Sequence, residues 1–260
     1  MVQTHSIVEK TYRKLTILVS EKRMLWTVRD TLNNEIIEKD EAVWPNPEQW
    51  QHESETIAAV WQQDVFTQKY DAIEVLHYNP WLTFVPAALY DDDFKTHYLQ
   101  WNTQLFETDY IATDTLTSLE MVSVYIPWVS LNNLLIDRLG KFEYQHALAS
   151  WLTQLIPKSR WDFDKKMTAH RLDEQLDLVV TQNGKLVLYN SFLVQSPEDI
   201  LYYILFTAEQ LQLNPELFSL QLLGEWPSEE GTFDLLYRYI RDVKWPDTTQ
   251  NSPFALLHEP

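Results

Sequence analysis

The chain has no cysteine and only four glycines in 260 residues. Without cysteine there are no disulfides, thiolate nucleophiles or cysteine-based zinc sites, which fits a reducing compartment. With so little glycine there is no Gly-rich phosphate loop and no serine nucleophile elbow. Cations are scarce as well: 20 Lys and Arg against 38 Asp and Glu give a formal charge of −18 and a pI of about 4.7. Direct nucleic-acid binding needs cationic side chains that displace counterions from phosphates, and no basic run of five or more residues is present. Anionic lipid headgroups would repel the same surface. No apolar run approaches the ~18–20 residues that cross a bilayer. Met1–Lys10 also lacks the apolar stretch of a signal peptide. The expectation is a cytoplasmic protein with no direct nucleic-acid binding and no membrane insertion, for which a cationic protein is the electrostatically favoured partner.

What is present is apolar and aromatic. A hydrophobic fraction of 45%, with 11 Trp, 13 Tyr and 11 Phe, argues for a well-packed globule. One layout occurs twice. Lys14–Ser20, Met24–Asp30 and Glu35–Val43 read as three consecutive strands, followed by a helix and another strand. Met167–Asp173, Leu176–Thr181 and Lys185–Val194 repeat that order, again with a helix and a strand after them. Two copies of one αβ unit predict two lobes, 1–157 and 158–260, with Lys158–Lys166 as the connection.

In the first lobe, Trp44–Gln51 is a proline-broken loop and Ser54 caps a helix reaching about Lys69. Asp71–Tyr78, Glu107–Ala112 and Met121–Ile126 read as strands. Helices are expected after Asp91-Asp92-Asp93, from Pro127 to Gly140, and over Ala147–Ile156 with Pro157 as the stop. In the second lobe, Asn183-Gly184 marks a tight hairpin, Ser196 caps a helix over Ile200–Leu213, and Leu217–Leu223 is a strand. Phe233–Val243 reads as an amphipathic helix, with an irregular tail from Trp245.

The chemistry-bearing residues are dispersed. Asp93 and His97 share a helical face and could ligate a divalent metal, but acids at a helix start more simply cap free N–H groups. The histidines at 5, 52, 77, 97, 146, 170 and 258 form no HxH or HExxH pair. His77, His146 and His170 sit in or beside apolar segments, as hydrogen-bonded core histidines do. Trp44, Trp50, Trp81, Trp128, Trp226 and Trp245 fall in or near loops, where exposed aromatics would mark an interface. No catalytic residue and no metal ligand is assigned.

Several blocks resemble a family. They are Thr83–Tyr90, Tyr98–Asn102, Val122–Pro127, Asn183–Phe192, Glu198–Phe206 and Leu223-Gly224. They look like those of DUF3822, an uncharacterised family found in Bacteroidetes. The resemblance implies an α/β fold with duplicated ribonuclease-H-like (actin-like ATPase) lobes and mixed sheets flanked by helices. Active relatives of that fold carry an Asp-x-Gly phosphate loop at the first hairpin of each lobe, where glycine admits backbone N–H groups to phosphate. Here the first hairpin reads Leu18-Val19-Ser20-Glu21-Lys22-Arg23, with neither acid nor glycine in register, and Ala169-His170-Arg171 stands at the second. Metal nucleases of the fold group need an acid on the first strand, and Leu15–Val19 has none.

The resemblance therefore implies a non-catalytic assembly or adaptor module without a cofactor. It implies a protein partner, with an RNA methyltransferase as the candidate because the family is often encoded beside one. The alternative is a nucleotide-binding or ATP-hydrolysing enzyme with altered phosphate loops, for which Lys22, Arg23 and Gly224 are the cofactor-binding candidates.

Overall fold

The computed structural model describes residues 10–44, 55–226, 231–247 and 251–257. His5, His52, His258, Trp50, the Ser54 cap and most of the Trp44–Gln51 loop lie outside the described residues. By contacts the chain divides into two compact units, Met1–His77 with Trp128–Gln145, and Tyr78–Pro127 with His146–Pro260. The sequence expectation sets a single boundary at 157/158, whereas the contact units are interleaved.

The first unit is built on a five-stranded sheet. Its strands are β1 (Arg13–Val19), β2 (Arg23–Asp30), β3 (Glu35–Val43), β4 (Ala72–His77) and β8 (Glu143–His146), the last of which crosses the unit boundary at its final residue. The order is β3-β2-β1-β4-β8, with β1 antiparallel to β2 and parallel to β4. Alternating apolar residues send Leu15, Ile17, Val19, Trp26 and Val28 into a core that also takes Val60 and Trp61 of α1 (Glu55–Trp61) and Leu131 and Leu135 of α3 (Val129–Leu139). Edge strand β3 carries Glu35, Glu38, Lys39, Asp40 and Glu41, charges that discourage edge-to-edge pairing.

The second unit holds two sheets. The larger repeats the order of the first as β11-β10-β9-β12-β13. Its strands are β9 (Lys166–Leu172), β10 (Gln175–Gln182), β11 (Lys185–Leu193), β12 (Ser219–Gly224) and β13 (Asp242–Lys244). Its core combines Met167, Ala169, Leu176, Leu178 and Val180 with Ile200, Ile204 and Ala208 of α5 (Pro197–Gln210) and Leu236 of α6 (Thr232–Tyr239). The smaller sheet, ordered β5-β7-β6, comprises β5 (Leu82–Pro86), β6 (Ala112–Leu116) and β7 (Met121–Tyr125), with α2 (Lys95–Leu99) beside it. Helix α4 (Ala147–Lys158) completes the unit.

The duplicated α/β reading holds in both copies, but several boundaries move. The helix expected to reach Lys69 ends at Trp61 and gives way to a 3-10 turn over Asp64–Phe66. The strand expected over 107–112 begins only at Ala112, because the Asp109 carboxylate accepts from the Phe106 amide at 2.8 Å and folds that stretch into a turn. α4 runs through Pro157 to Lys158, where proline costs one bond of the last turn and the Ser159 hydroxyl caps the Ile156 carbonyl at 2.8 Å. The helix expected to reach Val243 stops at Tyr239, since Ile240 turns extended and Asp242–Lys244 pairs with β12.

Candidate functional site

In this fold the first place to examine is the hairpin turn after β1. Ser20 turns its own hydroxyl into the loop, where Oγ accepts from the amides of Lys22 at 3.3 Å and Arg23 at 3.1 Å. Those are backbone donors of the kind a phosphate nest would offer. The Ser20 amide donates to the Arg23 carbonyl, and Trp44 closes the outside, its amide on the Lys22 carbonyl and its indole N–H on that of Glu21. The Arg23 guanidinium reaches Glu41 at 3.1 Å. Lys22 and Arg23 thus share one turn in the first unit.

Gly224 belongs to the second unit, at the end of β12. It adopts φ +91°, and a Cβ there would stand 2.0 Å from the Arg171 carbonyl oxygen. The next residue, Glu225, donates its amide to that same oxygen at 2.7 Å. Close approach of β12 to β9 accounts for this glycine without a ligand. At the second hairpin the two-residue turn is Asp173-Glu174, with Asp173 left-handed at φ 56°.

A second constellation was not visible in sequence. His170 of β9 and Asp177 of β10 are cross-strand partners, and both side chains are wholly buried. The Tyr78 hydroxyl donates to Asp177 Oδ2 at 2.6 Å and lies 3.3 Å from His170 Nδ1. Gln175 Nε2 donates to Asp177 Oδ1 at 3.0 Å, and the Tyr189 hydroxyl lies 3.4 Å from the same oxygen. Burial, then the neighbouring Asp177 carboxyl, push both tyrosines far above the usual phenol range. A carboxyl, an imidazole and a phenol are the groups of acid–base chemistry. Here they satisfy one another inside the unit and leave only His170 Nε2 without a partner. Asp177 carried one sequence signal, an acid in the apolar run Leu176-Asp177-Leu178-Val179; Tyr78 carried none.

The other inner histidines are also bonded as core groups. The His146 Nδ1 accepts from the Leu148 amide and caps α4, so Nε2 carries the proton and donates to the Asn79 carbonyl at 3.0 Å. Burial above all lowers its pKa to about 4. In the first unit, His77 Nδ1 accepts from Trp128 N and Nε2 donates to Asn132 Oδ1. Asp91 takes the capping role, accepting from the Asp93 amide at 3.1 Å. Among the described residues no three His, Asp or Glu side chains converge as a metal site would require.

The tryptophans sort differently from their sequence positions. Trp44 and Trp226 are buried and Trp81, Trp128 and Trp245 are half-buried, so these loop aromatics pack onto the fold. Among the described residues the exposed tryptophans are Trp101, at 84%, and Trp161, at 78%. Among the described residues no helix is long and apolar enough to cross a membrane.

The profile of a family described as "Protein of unknown function (DUF3822)" matches residues 2–243. No curated protein matches the sequence. In structure the chain is similar to a Bacteroides thetaiotaomicron protein with actin-like ATPase fold and unknown function, at 20% identity and TM-score 0.82, covering 97% of this chain and 98% of that one. It is also similar to a chain of the PilM-PilN type IV pilus biogenesis complex (12% identity, TM-score 0.58, 95% and 90% covered). A third likeness is the ethanolamine utilization protein EutJ from Carboxydothermus hydrogenoformans (8% identity, TM-score 0.50, 94% and 86% covered). These likenesses establish the actin-like ATPase fold.

Proposed function

The chain belongs to the DUF3822 family and has the actin-like ATPase fold, and from that premise we propose that it is a non-catalytic, cytoplasmic assembly or adaptor module. The observation that carries this reading is the filled hairpin turn: Ser20 Oγ holds the amides of Lys22 and Arg23 where a phosphate would need them. A hydroxyl built into the loop does the stabilising that an anion would otherwise do.

The contact face proposed for a partner lies in the second unit. Tyr202 and Phe206 stack on each other at 5.9 Å on the outer side of α5, and Tyr202 is 60% exposed. Phe163 and Trp161 are exposed in the segment before β9. Exposed aromatics of this size are what protein interfaces use as anchors. One structural neighbour comes from an assembly of two proteins, PilM and PilN, an analogy of fold alone. The partner proposed from family resemblance is an RNA methyltransferase, engaged as a protein and not through its RNA.

Two measurements test this reading. A purified RNA methyltransferase of the same organism should co-elute with the full chain, and Tyr202→Ser with Phe206→Ser should abolish co-elution. Thermal unfolding should show no ATP·Mg²⁺ stabilisation that depends on Lys22 or Arg23. A saturable shift lost in Lys22→Ala and Arg23→Ala would establish the nucleotide-binding alternative instead.

A further inference from the structure

The first unit carries a cleft of about 670 Å³ at the end of its sheet opposite the Ser20 turn, lined by Tyr12, Gln68 and Tyr70 among others. Three lysines reach it from separate segments: Lys10 ahead of β1, Lys69 ahead of β4 and Lys141 behind α3. The volume is in the range of small-molecule sites, roughly 300–1,000 Å³.

The charge pattern sets this cleft apart. Of the lysines in the chain, Lys10, Lys69, Lys141 and Lys185 make no hydrogen bond or ion pair among the described residues. Three of those four line this one cleft, in a protein whose formal charge is −18. Lys10 acts through space on Asp71, whereas Lys69 and Lys141 have no carboxylate partner among the described residues.

The lining shows why. Its one carboxylate, Asp71, is turned to the backbone: Oδ1 accepts from the Thr11 amide at 3.0 Å and Oδ2 from the Tyr12 amide at 2.6 Å. That grip holds Tyr12 at φ 55°, a left-handed conformation unusual for a bulky residue. The wall is fastened further by Thr31 N on the Tyr12 carbonyl and Asp71 N on that of Arg13. The Tyr70 hydroxyl donates to the Val65 carbonyl at 2.7 Å and stays protonated, its pKa pushed up to about 12 by burial and by Glu38, so it adds no negative charge. Among the described lining residues three lysines stand against one carboxylate, a formal +2, with Glu38 close enough to act on Tyr70.

We propose that this cleft binds a small, multiply charged oxyanion of the phosphate class. Lysine acts on phosphate as a mobile point charge, and three of them from independent segments suit an anion bearing two or more charges. Nothing in this proposal depends on the adaptor reading or on the Ser20 turn.

The test is isothermal titration of inorganic pyrophosphate, and separately of citrate, into the full chain at low and high salt. Pyrophosphate should bind saturably, more weakly in high salt. Lys69→Ala and Lys141→Ala should each weaken it about tenfold, the loss of one charge-assisted contact. Lys185→Ala, which removes an exposed lysine outside the cleft, should leave affinity unchanged. Absence of binding, or binding equal in Lys69→Ala and Lys141→Ala, overturns the site. Citrate binding as tightly as pyrophosphate overturns the phosphate assignment. Affinity lost in Lys22→Ala but kept in the cleft variants would place the anion at the hairpin turn instead.

Discussion

Counted back from the hairpin turn, the same cross-strand position is filled in opposite ways in the two copies. In the first unit the third pair is Ile17·Trp26, and in the second it is His170·Asp177. All four side chains are fully buried. One sheet carries hydrocarbon and an indole there, edge-on to Phe66 at 5.2 Å; the other carries an imidazole and a carboxyl held by Tyr78 and Gln175. The sheet order therefore does not dictate the chemistry of its centre. What the polar version requires is a full set of partners, because a buried carboxyl without them loses its hydration for nothing. Asp177 has that set, drawn from its own hairpin and from Tyr78, a residue far away in sequence.

The most damaging way to break the comparison is Asp177→Ala, which strands Tyr78, Gln175 and His170. It should cost about 3–5 kcal/mol in urea unfolding. A loss below about 1 kcal/mol would mean that the second centre tolerates the first one's apolar character. Next comes Gly224, which stands opposite Arg171 where the first copy has Leu76 opposite Leu18. Gly224→Ala must abandon φ +91° and clear the Arg171 carbonyl, at about 3 kcal/mol. Retention of wild-type Tm would show that β12 can retreat from β9.

A pH titration sharpens the contrast next. The folded pKa of His146 is about 4, below the ordinary imidazole value of 6.5. The unfolded chain takes up that proton first. Stability from this group is therefore constant above about pH 6.5 and falls as pH drops toward 4, by about 1.4 kcal/mol per pH unit at most. His146→Asn should flatten that part of the profile; an unchanged slope would assign it to another group. The smallest effect is expected at the surface. Glu41→Ala removes the partly exposed Arg23 pair and should change stability by about 1 kcal/mol or less. A larger loss would make that pair a brace of the Ser20 turn.

The duplicated architecture was legible because its strands are β-branched and alternate, and because its punctuation is local. Asn183 and Gly184 adopt φ 51° and 69° as an Asn-Gly turn should, and Ser196 with Asp199 forms the reciprocal capping box that opens α5. Elements without local signals were not legible. β8 is four residues, Glu143–His146, with no apolar run, and β13 is three residues, separated by two residues from the end of a helix. Both exist because a neighbouring strand offers an open edge. Ser20 could have been noticed as a hydroxyl at a turn, but its bonds to two amides need the turn's geometry. The Tyr78, His170 and Asp177 group has no spacing to find, since strand register and a separate segment bring it together. The same holds for the lysines at 10, 69 and 141, which periodicity leaves on three unrelated stretches.

The division of the tryptophans gives the protein an optical handle of its own. Trp26, Trp44, Trp61, Trp151 and Trp226 are buried, while Trp101 and Trp161 meet water, and both exposed rings belong to the second unit. Emission from the folded chain should contain a red, acrylamide-quenchable contribution from those two and a blue, shielded contribution from the five buried rings. A protein docking over Trp161 would shift and protect the red fraction. An anion entering the lysine cleft, which lies in the first unit, would leave the signal of Trp101 and Trp161 as it was. One cuvette thus separates the two kinds of ligand without a label.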